Sequence, residues 1–567
     1  MNFGATWLGN GRTRFRLWAP SQTKVDVEID SRRVPMTAQP EGWFEVETEC
    51  IPGTPYVYRL ESGQAVPDPA SRAQAGDVHG PSLVVDPSAY RWRHPEWQGR
   101  PWHETVLYEL HVGACGGFAG VQADLDRLKT LGITAIELMP INDFSGTRNW
   151  GYDGVLPFAP ARAYGTPDEL KALIDAAHER GLMVFLDVVY NHFGPDGNYL
   201  ASYAPRFFRD DVHTPWGPAI DFRQMPVRRF FIENALYWLM EYRFDGLRFD
   251  AVHAITEPGW LDEMAEEIRH TIPKERHVHL VLEHDGNEAS HLHRGYNAQW
   301  NDDAHHVFHV LLTGERDGYY VDYAAAPAEL LARCLAEGFA YQGEPSPHRG
   351  GQPRGTPSDD LPPTSFVLFL QNHDQIGNRP FGDRLTTLAD PETLQAAIAL
   401  QLLCPNIPLL FMGEEWLSRT PFQFFTDYHG ALADAVREGR RREFKAFAGF
   451  GGKDIPDPNA RETFERSRPG TEGDDSFCRR LLALRREKVT PQLGSARTFD
   501  STVLSPAAVQ VRWRLTDGAT LSLASNLGTE PCPFEPPAGE RIFASRMDAT
   551  DNGKLAPKTT VCYLAPP

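Results

Sequence analysis

Cysteine is scarce in this chain and follows no recognisable pattern. The seven thiols, Cys50, Cys115, Cys334, Cys404, Cys478, Cys532 and Cys562, are scattered over 567 residues with no Cys-x-x-Cys. That argues against a disulfide framework and against a thiolate zinc site. Positive charge is also in deficit: 56 Lys and Arg stand against 76 Asp and Glu, a formal net charge of −20. An acidic chain repels phosphate backbones and anionic lipid, so neither nucleic acid nor a membrane surface is an expected partner. A neutral polysaccharide is indifferent to that charge. No uninterrupted apolar run reaches the ~18 residues of a membrane-spanning helix. The segment Met1-Asn2-Phe3-Gly4 opens no basic-then-apolar stretch of the secretory kind, so a cytoplasmic protein is expected.

What is present divides the chain. Its length exceeds one ordinary core, so two or three domains are expected. Residues 1–95 alternate with strand period, as in Arg14-Phe15-Arg16-Leu17-Trp18 and Lys24-Val25-Asp26-Val27-Glu28-Ile29. They are expected to form an N-terminal β-sandwich resembling a carbohydrate-binding module. From residue 96 the rhythm changes. Short apolar runs alternate with amphipathic helical patterns such as Asp168–Arg180 and Val227–Tyr242. The expected strands are Val106–Val112, Ala135–Pro140, Met183–Val189, Gly246–Val252, His279–Glu283, Phe366–Leu370 and Pro408–Met412, with a weaker one at Ala298–Asn301. Strands buried on both faces and separated by helices imply a parallel sheet, and eight such units favour a closed α/β (TIM) barrel. The barrel is expected over 96–487, with an excursion at 192–226 after the third strand. Alternation returns over 488–567, where Asp517-Gly518 marks a hairpin turn in a C-terminal β-sandwich.

In a parallel barrel, chemistry gathers at the C-terminal ends of the strands. Four apolar runs end there in polar residues: Asp187 to His192, Arg248 to His253, Glu283 to Asp285, and Gln371 to Gln375. Arg248 and Asp250 are two apart and share a face. A guanidinium beside a carboxyl favours its ionised form, which a nucleophile attacking an anomeric carbon requires. Glu283 follows three apolar residues, so burial is expected to raise its pKa and fit it for general acid work. Asp374, His373 and His192 could hold sugar hydroxyls. Taken singly, each has a plainer account: an Arg–Asp pair, a strand-end cap, a hydrogen-bonded histidine. Together, two carboxyls on adjacent strands can meet the separation of about 5–5.5 Å used by retaining glycosidases. His111, His192, His253, His284 and His373 could line the same mouth. No His-x-His or His-x-x-x-His pair lies at those strand ends, so no metal and no cofactor are expected.

These four motifs, in this order, resemble those of the α-amylase superfamily of glycoside hydrolases. The resemblance implies Asp250 as nucleophile, Glu283 as general acid/base and Asp374 as transition-state stabiliser. It further implies sugar contacts from Arg248, His192 and His373, with Tyr152 of Trp150-Gly151-Tyr152-Asp153 as a platform. A narrower likeness, to the maltooligosyltrehalose trehalohydrolase family, covers nearly the whole chain. It rests on Pro67-Asp68-Pro69-Ala70-Ser71-Arg72, Ala298-Gln299-Trp300-Asn301-Asp302-Asp303 and Leu370 to Arg379. Secreted α-amylases carry Lys-His after the nucleophile where this chain has His253-Ala254, which speaks against a plain endo-amylase; His253 joins the candidate contacts. Trp216, Trp300, Asp302 and Asp303, with Glu415 and Trp416, lie near expected loop positions, where packing accounts for each as well as substrate contact does. The implied reaction is hydrolysis of the α-1,4 bond beside a terminal trehalose unit, with water as acceptor. A maltooligosyltrehalose synthase is then the implied pathway partner, without a stable complex. The alternatives are a glucan branching or debranching enzyme, or a glucan-binding protein without catalysis.

Overall fold

The computed structural model describes residues 2–445, 455–470 and 473–567; Met1 lies outside them. Eight parallel strands close into one barrel in chain order: Leu107–Leu110, Ala135–Leu138, Met183–Val188, Gly246–Phe249, His279–Leu282, Ala298–Trp300, Phe366–Leu368 and Ile407–Phe411. Every residue of these strands is buried, which is why they read as continuous apolar runs. β domains flank the barrel on both sides in sequence. This is the eight-stranded α/β barrel architecture expected from the sequence.

The barrel interior carries its own apolar layer. Leu107, Ala135, Met183, Phe185, Val281, Ala298, Val367, Ile407 and Leu409 pack together, with Trp97 and Trp102 against them. Gly246 shows how tight this layer is: a Cβ there would lie 2.1 Å from the Phe185 ring. Two residues further along the first five strands the interior changes character. Glu109 and Glu137 are register partners on the first two strands, and Asp187 partners Arg248 on the third and fourth.

Residues near the N-terminus form two antiparallel sheets. One runs in the order Gly4–Gly9, Arg12–Trp18, Trp43–Glu49, Thr37–Gln39; the other is built around Val25–Ile29 and Pro55–Leu60. Their alternating inner residues, Phe15, Leu17, Val25, Val27, Tyr56 and Tyr58, are buried. Among the described residues, the exposed large apolar side chains of these sheets and their loops are Leu8 and Ile51. The Pro67–Arg72 stretch has a structural task. Buried Asp68 accepts the hydroxyls of Tyr56 and Tyr58 at 2.8 and 3.2 Å, and Arg72 lies 4.5 Å over the Phe158 ring of the barrel region. Near the C-terminus a five-stranded antiparallel sheet includes Ala508–Arg514 and Thr520–Asn526, joined through Gly518 at φ 88°. It docks by Thr560, whose hydroxyl donates to Ala396 O at 2.7 Å.

Between the third and fourth barrel strands the chain makes a hairpin, Phe208–Thr214 with Gly217–Ile220. Phe207 anchors it against Phe193, Phe230 and Phe231, and Trp216 at its tip is exposed. Among the described residues no helix is long and apolar enough to cross a membrane. All seven cysteines are free.

Candidate active site

A cavity of about 840 Å³ opens at the C-terminal ends of the strands. It is lined by nine of the twelve side chains singled out from sequence: Tyr152, His192, Trp216, Asp250, His253, Glu283, Asp302, His373 and Asp374. Arg248, Trp300 and Asp303 do not line it.

The floor is organised by Arg248, which is wholly buried. Its Nη1 donates to Asp187 Oδ2 at 2.7 Å and to Asp250 Oδ1 at 2.9 Å, while Nη2 lies 3.0 Å from Glu283 Oε2. That last contact is an ion pair off the hydrogen-bond axis, since Nη2 makes no aligned hydrogen bond. Strand alternation puts Arg248 and Asp250 on one side, and the third and fifth strands bring Asp187 and Glu283 to either flank. The turn after Asp250 adds a further hold. Ala251 sits in left-handed backbone at φ 41°, an unfavourable conformation for a residue with a Cβ. In that turn its N–H donates to Glu283 Oε2 at 2.7 Å.

These contacts set the protonation of the pair. Burial raises Asp250 well above the usual carboxylate range, and the charge of Glu283 raises it further. Burial also acts to raise Glu283, but Arg248 and the Ala251 N–H outweigh it and leave this carboxyl lowered. Of the two carboxyls on one guanidinium, Asp250 is thus the one that the arrangement favours as holder of a proton. This corrects both expectations from sequence: burial and the Glu283 charge outweigh Arg248 at Asp250, whereas at Glu283 the guanidinium and the backbone donor outweigh burial.

Asp374 follows His373 in a short helix, His373–Gly377, capped by Asn372, whose side chain accepts from Asp374 N at 2.9 Å. The Tyr152 hydroxyl donates to Asp187 Oδ2 at 2.6 Å, and its ring stacks on His373 at 5.0 Å. His192 stacks on Trp216 at 5.0 Å, and burial lowers its pKa to about 4, so it faces the cavity as a neutral ring.

Three candidates are corrected by position. Trp300 is buried, and the Arg248 guanidinium lies 4.1 Å above its ring; it supports the clamp from beneath and is out of reach of sugar. Arg248 likewise acts on the carboxyls and presents no surface to the cavity. Asp303 lies in the first turn of the helix Asp302–Thr313 and does not share the cavity with Asp302. It accepts from Arg354 Nη1 at 2.6 Å, from Asn287 at 2.8 Å and from the backbone N–H of Ala340 and Tyr341. Glu415 is also internal, bound to Tyr108 at 2.8 Å and Arg127 at 2.6 Å, with Trp416 over Arg127.

One wall was not singled out from sequence. Tyr319, Asp322 and Tyr323 come from the turn Gly318–Tyr323, and His348, Arg349 and Arg354 from the loop that precedes the barrel strand Phe366–Leu368. Asp322 fastens that loop by accepting from Ser346 Oγ at 2.6 Å and from His348 N at 2.7 Å. Among the described residues no group of three or more His, Cys, Asp or Glu is arranged to hold a metal ion.

The α-amylase catalytic-domain family model matches residues 86–211, and a domain of unknown function (DUF3459) matches 496–563. Malto-oligosyltrehalose trehalohydrolase of Deinococcus radiodurans is 44% identical over 506 residues, covering 85% of this chain and 83% of that one. The protein of the same name from Saccharolobus solfataricus is 39% identical, covering 86% and 87%. The chain belongs to the malto-oligosyltrehalose trehalohydrolase family. It is therefore a glycoside hydrolase of the α-amylase family. A crystal structure from Salmonella typhimurium, provisionally assigned as an alpha amylase, is 46% identical over 99% of both chains, with TM-score 0.94. A pullulanase from Anoxybacillus shares the fold alone, at TM-score 0.72 and 19% identity over 100% of this chain and 87% of that one. The Salmonella structure and this chain thus share the whole architecture, flanking β domains included.

Proposed function

We propose that this protein hydrolyses the α-1,4 bond next to the terminal trehalose of maltooligosyltrehalose, releasing trehalose and a shortened maltooligosaccharide. The observation that carries this is the Arg248 clamp, which presents Asp250 and Glu283 together on the floor of a cavity of about 840 Å³. Asp250 is the nucleophile, Glu283 the general acid/base and Asp374 the stabiliser of the charged transition state. As the glycosidic oxygen meets Glu283, the proton held by Asp250 passes to that side. Glu283 then protonates the leaving trehalose oxygen while Asp250 bonds to the anomeric carbon. Water, deprotonated by Glu283, releases the glucan from Asp250 and restores the proton to the pair. Arg248 stays charged throughout and opposes the burial that raises Asp187 beside the nucleophile. Tyr152, His192 and Trp216 supply the surface for the sugar on the glucan side. Tyr319, His348 and Arg349 shape the opposite wall. The substrate implies an enzyme that builds its terminal α,α-1,1 bond, a maltooligosyltrehalose synthase.

The test is product analysis on maltooligosyltrehalose. Free trehalose with no new branch points is expected. A branching enzyme of Photobacterium profundum is 35% identical over 42% of this chain. Branch formation on amylose without trehalose release would move the function to that class.

A further inference from the structure

Glu109 is a buried carboxylate that the mechanism above leaves unused. It lies in the first barrel strand, 1% exposed, beneath the cavity. Its Oε1 is 2.5 Å from His373 Nδ1, and its Oε2 accepts the backbone N–H of His373 at 3.2 Å. One carboxylate therefore grips one histidine at two points. With Nδ1 engaged, only Nε2 remains to face the cavity, and it lies 3.5 Å from Asp374 Oδ2. Stacking on Tyr152 and an edge contact from Trp150 at 5.5 Å fix the ring plane. A neutral ring donating Nδ1–H to Glu109 would present Nε2 as an acceptor; a charged ring presents it as a donor. The charge on Glu109 selects between these states.

We propose that Glu109 is a positioning residue of the active site: by its two hydrogen bonds it holds His373 as an imidazolium whose Nε2–H serves Asp374 and a hydroxyl of the sugar at the cleavage point. Its catalytic consequence rests on the glycosidase reading above. Ionisable groups face His373 from every side. Asp374 belongs to its own helix, Glu109 and His111 to the first strand and its end, Glu137 to the second, Asp187 to the third, Arg248 to the fourth, and Glu283 to the end of the fifth. Burial acts against the charged ring, as does Arg248, but Asp374 and Glu109 outweigh both and raise it to about 9. Glu137 does not compete for the proton. Neither of its carboxyl oxygens has a hydrogen-bond partner among the described residues, and burial followed by the Glu109 charge raises it far above the carboxylate range. His111, lowered to about 4 by burial, is neutral.

The test is Glu109→Gln, which keeps the shape and an acceptor for Nδ1–H but removes the charge. The His373 ring is titrated by NMR in the full-length protein with labelled histidine, and assigned by its loss in His373→Asn. The expected result is a fall of about two to three pH units in the His373 midpoint. Alongside it, kcat for trehalose release should fall about 10- to 100-fold at pH 8, with KM little changed and the loss largely recovered near pH 5.5. Glu109→Asp, which keeps the charge, should retain a raised midpoint and part of the alkaline activity. An unchanged midpoint in Glu109→Gln, or a lowered one in Glu109→Asp, overturns the proposal, as does a loss of kcat equal at every pH. If the wild-type protein releases no trehalose, the glycosidase reading fails on its own, and the NMR midpoint alone decides whether Glu109 holds the histidine charged.

Discussion

Two layers of one barrel interior, a few ångströms apart along the same strands, are built from opposite materials. The layer holding Leu107, Ala135, Met183, Phe185 and Val281 is dry and apolar. The next, two residues on, holds Glu109, Glu137, Asp187, Arg248 and Glu283. The first gains free energy from burial, about 1.5–3 kcal/mol for each large side chain. The second gathers like charges out of water, which is unfavourable unless every one is paired or neutralised. Arg248 and His373 do the pairing, and protonation does the rest. The apolar layer keeps the strands rigid enough that the charged layer cannot relax by spreading apart.

Substitutions can break that contrast. The largest effect belongs to the upper layer: Asp250→Asn should lower turnover on the order of 10⁴-fold while sugar binding, followed by calorimetry, persists. Survival of turnover would displace Asp250 as nucleophile. Glu283→Gln should cost about 10²–10⁴-fold, least for substrates with good leaving groups, as substituted aryl glycosides would reveal. In the lower layer Phe185→Ala should destabilise by about 3–5 kcal/mol in denaturant unfolding, with kcat per folded molecule preserved. A loss of kcat as large as the loss of stability would mean that the layers are not separable. Trp216→Ala, on the excursion hairpin, should raise KM by about 10-fold with little change in kcat.

The smallest effect concerns stability against pH. His373 is raised in the folded protein to about 9, above its ordinary 6.5. Its stabilising contribution is therefore complete below about 6.5 and is lost as pH rises through about 9. Thermal melting should show a decline over that window that flattens in His373→Asn. An unchanged slope would place the titrating group elsewhere.

The two layers were also unequally legible from sequence. All eight strands could be read because both faces are buried, leaving short apolar runs between helices. Asp250, Glu283 and Asp374 stood out because each interrupts such a run at its C-terminal end. Glu109 and Glu137 gave the same signal mid-run, in Leu107-Tyr108-Glu109-Leu110 and Ile136-Glu137-Leu138, and that signal marks the charged layer as surely as the strand ends do. Trp300 and Asp303 were misassigned because position near a strand end does not fix direction. Asp302 and Asp303 are adjacent at a helix start and so project to different sides, one to the cavity and one to Arg354. Tyr319, Asp322, His348 and Arg349 were not recoverable, since they meet the cavity through long connections whose path no local pattern specifies. The protonation of Glu283 was misread because its partners, Arg248 and the Ala251 N–H, lie more than thirty positions away in sequence.

Hydrolysis of maltooligosyltrehalose followed by proton NMR from the first seconds tests the paired-carboxyl mechanism most directly. Attack by Asp250 and then by water inverts the anomeric carbon twice, so the new reducing end should appear first as the α-anomer beside free trehalose. Initial appearance of the β-anomer would contradict a glycosyl–Asp250 intermediate and require water to act in a single displacement.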